Sequence, residues 1–192
     1  ETTSWSVPNL KDWAQLPEVR FDANNCYIQK VLEFVRLSLD LGKGKFITGI
    51  TDMHPGGDLA AALRDPINLC ADLLTDPDEV KTLLGRLHHS FFTFYEMQHA
   101  LLRAAGQRLT TTWLPLYGMG RYYVPSNDFS CTVSTRMYEE FFMPELRDEW
   151  HWLDYSIYHL DGPDALRHLD LLLAEPRLQA IQFVWGAGSG KP

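Results

Sequence analysis

The chain is short of three things, and each shortage narrows what it can be. Cysteine occurs only at Cys26, Cys70 and Cys131. An odd number at wide spacing argues against a disulfide-stapled secreted scaffold and against a four-thiolate zinc site, so reduced thiols and a cytoplasmic location are expected. Positive charge is in the minority: 17 basic residues against 25 acidic leave a formal charge of −8. Binding to nucleic acid or to an anionic membrane is therefore not predicted. Long apolar runs are also missing: none approaches the roughly 20 residues that a bilayer demands, and no charged-then-apolar leader opens the chain.

What remains is ordinary for one globular domain, with 45% hydrophobic and 22% charged residues supplying both a core and a solvated surface. Residues 1–45 read as an irregular lead-in, packed by Trp5 and Trp13, followed by a helix. That helix runs from Asn24 or Asn25 to about Leu41, with Ile28, Leu32, Val35 and Leu39 on one face. Residues 46–192 read as βα units of one domain. A strand is predicted at 46–52, followed by a Gly-rich loop and short helices at 59–64 and 66–74. A long helix then runs to about Ala105, started by an Asp76–Glu79 capping box. Further strands are predicted within 107–117, at 122–126, at 156–161 and at 180–185. A helix from Ser134, kinked at Pro144, and an apolar run at Leu166, Leu169, Leu172 and Leu173 separate the last of these. Helices between strands favour parallel pairing. A (β/α)8 barrel takes about 250 residues, so the pattern predicts an α/β fold that is part of such a barrel, or an open sheet. Glu1 at the start and the stop soon after the last strand predict a fragment.

The chemistry gathers at strand ends. The stretch 156–162, Ser-Ile-Tyr-His-Leu-Asp-Gly, puts His159 and Asp161 on one face of a strand at its carboxyl end, where α/β enzymes keep their reactive groups. Asp161 before Gly162-Pro163 also suits a helix cap. Asn127, Asp128, Ser130 and Cys131 follow another strand, Asp52 and His54 end a third, and Gln182 and Trp185 end the last. Arg121, Arg136 and Arg167 are the guanidinium candidates for gripping substrate carboxylates. His88, His89 and His99 fall on different faces and turns of one helix, so they read as structural and not as a metal box. The tail at 186–191 misses a phosphate loop, because Trp185 stands where glycine is required and Pro192 where a hydroxyl would hold magnesium.

Taken together these blocks are similar to the uroporphyrinogen decarboxylase superfamily, whose (β/α)8 barrels also include corrinoid-dependent methyltransferases. The likeness covers residues 46–188. It rests on Gly-Ile-Thr-Asp at 49–52 with its glycine-rich exit, Leu63-Arg64, Pro-Ser-Asn-Asp-Phe-Ser-Cys at 125–131, and Tyr-His-Leu-Asp-Gly-Pro at 158–163. His-Leu-Asp-Leu-Leu at 168–172 and Ala-Ile-Gln-Phe-Val at 180–184 complete it. The resemblance implies a cofactor-independent carboxy-lyase acting on a carboxylated, tetrapyrrole-like substrate. The carboxylate that in such enzymes stabilises the cation formed on ring protonation, and several arginines that hold the substrate, belong to an amino-terminal portion that this chain is expected to lack, which leaves hydrogen bonding and proton transfer to residues of this chain. Asp161, His159 and Asp128 are then the catalytic expectation. Tyr158, Asn127, Ser130, Asp52, His54, Gln182, Trp185 and Arg121 are the substrate-binding one. The alternative it implies is methyl transfer with a corrinoid protein. Zinc is held in such relatives by His-x-Cys and a later cysteine; here the pair is His159-x-Asp161 with no cysteine after it. A third reading is a non-catalytic or truncated ligand-binding module. A partial barrel would expose sheet edges, so self-association is expected.

Overall fold

A computed structural model describes residues 6–186; Trp5 and the glycine-rich tail from residue 187 lie outside the described residues. The lead-in is ordered by Asp12, whose side chain accepts the Ala14 N–H and forms a capping box with Gln15 at the 3-10 turn Trp13–Glu18. Asn25 accepts the Tyr27 N–H and starts α1 (Cys26–Gly42), with Leu32 and Val35 on its buried face. Then come α2 (Gly57–Arg64), α3 (Pro66–Thr75) and the long α4 (Pro77–Ala104). The capping box expected at Asp76 does not form: its carboxylate accepts the Thr75 hydroxyl at 2.6 Å instead.

Residues 46–52 form no strand. The neighbouring β1 (Leu109–Thr111) is three residues long and pairs with β2 (Tyr117–Met119), leaving one ladder bond, Ile50 N–H to Thr111 C=O at 2.8 Å. Side chains take over the remaining backbone groups: Gln107 serves both sides of Thr48, and Gln98 accepts the Thr51 N–H. The Tyr123 hydroxyl bonds both N–H and C=O of Met53. The β1–β2 pair is antiparallel, against the all-parallel expectation, because its five-residue loop is too short for a crossover.

The remaining strands form a parallel sheet in the order β3 (Tyr122–Tyr123), β4 (Tyr155–Asp161), β5 (Ala180–Val184). Pro125 has no N–H to donate, so β3 stops early. Its carbonyl still accepts the His159 N–H at 2.9 Å, and Ser126 bridges to His159 beyond it. Ser134 caps the crossover helix, which runs as α5 (Thr135–Met137), a π-turn (Tyr138–Phe142) and α6 (Met143–Trp152). The expected kink at Pro144 is thus a π-turn just before it. Pro144 is the second residue of α6 and has no N–H to return to the preceding turn. Between β4 and β5 lie a 3-10 turn (Pro163–His168) and α7 (Leu169–Leu173).

Two helical crossovers between parallel strands make this a mixed α/β fold, and no closed eight-stranded barrel is present among the described residues. Alternation along β4 decides what faces where. Ser156, Tyr158 and Leu160 are buried, whereas Ile157, His159 and Asp161 stay half-open on the other face. One core gathers Leu69, Leu83, Tyr138, Trp150 and Tyr158, and a second gathers Ile50, Phe91, Tyr95 and Tyr123. Each large apolar side chain enclosed there contributes about 1.5–3 kcal/mol. Among the described residues no helix is long and apolar enough to cross a membrane.

Candidate functional site

The half-open face of the sheet ends in a cluster built from three separate rims. Strand alternation brings His159 and Asp161 to the same side. The Ser126–His159 bridge then lays the 126–128 segment alongside them. The ligand-type atoms of Asp128, His159 and Asp161 consequently all lie within 4.8 Å of one another, and those of His54, Asp58 and Asp128 do the same. Asp128 belongs to both groups.

The third rim is the loop leaving residues 46–52. His54 Nε2 lies 3.1 Å from Asp52 Oδ2, and its Nδ1 lies 3.3 Å from Asp58 Oδ2 and 3.1 Å from Ser126 Oγ. The Asp52 carboxylate first, and Asp58 after it, hold the His54 imidazole in its charged form and raise its pKa to about 10. Asp58 also accepts the backbone N–H groups of Asp128 at 3.1 Å and Phe129 at 2.7 Å, tying the first rim to the second. Asp128 is raised above the ordinary carboxylate range, chiefly by burial and then by the Asp58 charge, with His159 opposing and Asp161 adding. His159 Nδ1 is bonded to Gln182 Oε1 from β5, and its ring meets Trp113 edge-on at 5.2 Å. An imidazole that donates from Nδ1 keeps Nε2 as an acceptor. The turn after β4 has Gly162 as its N-cap and no side-chain cap, so Asp161 does not serve as the helix cap that Asp-Gly-Pro suggests.

The residues singled out from sequence therefore divide. Asp52, His54, Asp128, His159, Asp161 and Gln182 meet at the rim. Trp185 lies just past the end of β5, 5.3 Å from Phe183 and edge-on to it. Asn127 is buried behind the rim, and Ser130 is buried with its carbonyl accepting from His168 Nε2 at 2.9 Å. Tyr158 corrects the expectation of a substrate contact: it points to the helix side, wholly buried, its hydroxyl 2.8 Å from that of Tyr138. A spacing of one from His159 puts it on the opposite face. Arg121 is corrected as well. It precedes β3 at the amino end of the sheet, bonds Glu96 at 2.7 Å and stacks over Trp152. Arg167 binds the Asp164 carbonyl, Arg136 is exposed, and no ion pair joins an arginine to the cluster among the described residues. Sequence reasoning passed over Asp58 and Ser126. The only signal for Asp58 was its place in the first turn of α2, four residues after His54.

Imidazole and carboxylate donors without thiolate fit a hard or borderline divalent ion, and do not fit the thiolate-rich zinc site of the resembled methyltransferases. No family model matches this chain, and neither a curated protein nor a solved structure does.

Proposed function

We propose that the chain carries the active-site rim of a (β/α)8-type enzyme similar to the uroporphyrinogen decarboxylases, a carboxy-lyase for a carboxylated tetrapyrrole-like substrate. The supporting observation is the convergence of Asp128, which follows β3, with His159 and Asp161 at the carboxyl end of the adjacent parallel strand β4. Loss of carbon dioxide from a ring acetate consumes one proton. A ring carbon is protonated, the C–C bond to the carboxylate breaks, its electron pair neutralises the ring cation, the methylene is protonated to methyl, and the ring carbon returns its proton to the donor, so that one proton is consumed in all. Asp128, disposed toward its neutral form, is the proton donor. Asp161 accepts a hydrogen bond from the pyrrole N–H and stabilises the cation, and His159 moves the second proton. A rim of several carboxylates, to which no arginine is ion-paired among the described residues, suits a developing positive charge.

The second reading, methyl transfer with a corrinoid protein, is favoured by the two overlapping ligand groups. In that reading Asp128, His159 and Asp161 would hold a divalent ion that supplies Lewis acidity. The readings separate in two assays on the full chain. Carbon dioxide release from uroporphyrinogen that falls at least a hundredfold in Asp161→Asn supports the first. Loss of one bound metal ion per chain in His159→Ala, with no decarboxylation, supports the second. Inactivity in both leaves a non-catalytic binding module.

A further inference from the structure

A void of about 10 Å3, the room of one water-sized sphere, lies behind the rim loop. Three oxygens of the residues lining it have no hydrogen-bond partner among the described residues: Asn127 Oδ1, Glu145 Oε1 and Glu149 Oε2. Asn127 is 5% exposed and Glu149 1%, so water does not satisfy them from outside. The nearest basic group to them among the described residues is His88, whose Nδ1 lies 3.8 Å from the other Glu149 oxygen, Oε1, and makes no hydrogen bond there. The charges that act on Glu145 are those of Glu149 and Asp148, both negative.

This arrangement is built by local structure. Glu145 and Glu149 stand one turn apart on α6, a spacing at which like charges repel. The π-turn immediately before α6 sets which face of that helix looks inward. On the opposite wall two glycines let the backbone close over the oxygens. A Cβ at Gly56 would come within 2.8 Å of Glu145 Oε2, and one at Gly57 would collide with Asn127 Oδ1.

We infer that this void is a binding site for a single hard divalent cation, Mg2+ or Ca2+, ligated by Asn127, Glu145 and Glu149. Oxygen-only donors select such ions, and a divalent ion between Glu145 and Glu149 offsets the burial that pushes both carboxyls toward their neutral form. The ion ties α6 to the 126–128 segment, beneath the glycine wall of the loop between His54 and Asp58, and so braces the rim from behind. It is separate from any ion held by the rim side chains, and it does not depend on the reaction proposed above.

The test uses the full chain, stripped with chelator and measured at fixed pH by equilibrium dialysis against Mn2+ and by thermal melting with Mg2+ or Ca2+. Binding of one ion and a rise in Tm that persist in the rim variant Asp161→Asn and vanish in Glu149→Gln are expected. A wild-type chain that binds no Mn2+ and melts alike with and without cation overturns the proposal. So does binding that survives Glu149→Gln, or binding that disappears entirely with Asp161→Asn. Should Glu149→Gln fail to fold, Asn127→Ala takes its place: at least tenfold weaker binding supports the site, and unchanged affinity overturns it.

Discussion

The hydroxyls of Tyr138 and Tyr158 meet at 2.8 Å with both side chains wholly enclosed. Tyr158→Phe removes one partner and strands the other in the core, at a cost of roughly 1–3 kcal/mol. In a domain of this size each kcal/mol lowers Tm by about 2–4 °C, so a fall of roughly 2–12 °C is expected. Tyr138→Phe has the mirror effect. The double variant strands neither hydroxyl, so its cost falls short of the sum of the two by roughly 1 kcal/mol or more. Urea denaturation of the four chains closes the cycle, and substrate turnover of Tyr158→Phe, measured beside it, stays at the wild-type level. Additive losses would refute the hydrogen-bond argument. A Tyr158→Phe chain that melts like wild type but loses substrate affinity would refute the assignment of this tyrosine to the core.

Arg64 and Asp72 form a nearly buried ion pair at 2.6 Å, and the guanidinium also binds the carbonyls of Leu10 and Lys11 and stacks on Trp13. Arg64→Ala leaves Asp72 charged and alone, so a loss of roughly 3–5 kcal/mol is expected by denaturant titration, and a loss under about 1 kcal/mol contradicts it. His168 is fully buried, stacks on Tyr138 and has its pKa lowered, first by burial. Its contribution to stability is present above the unfolded value of about 6.5 and lost as pH falls through the folded one. His168→Gln should flatten that acid limb in denaturation midpoints taken against pH, and parallel profiles would show that another group sets it. The β1–β2 pair exposes Leu116, Tyr117 and Met119, so Tyr117→Asp should reduce self-association seen by light scattering. A wild-type mass that does not change with concentration rules this surface out.

The α/β class and the long helices were legible in the chain because periodicity and capping act over a few residues. Asn25 and Ser134 cap where they were expected to, and α4 is placed within a residue of its predicted end. The spacing of His159 and Asp161 was equally local, since any strand puts alternate side chains on one face. Locality also explains the errors. Residues 46–52 have a strand's composition, but they share only one backbone bond with β1, and the side chains of Gln107 and Gln98 take the backbone groups of Thr48 and Thr51 that a ladder would use. Tyr158 was grouped with His159 by adjacency, although the pleat sends neighbours apart. Arg121 was grouped by residue type, although it lies at the wrong end of the sheet. Bringing Asp58, Asp128 and His159 together depends on three chain segments packing at one edge, and turning Asn127 inward beside Glu145 and Glu149 depends on a helix face set by a π-turn. Neither follows from local propensity, because each is a contact between residues that only the assembled core makes neighbours.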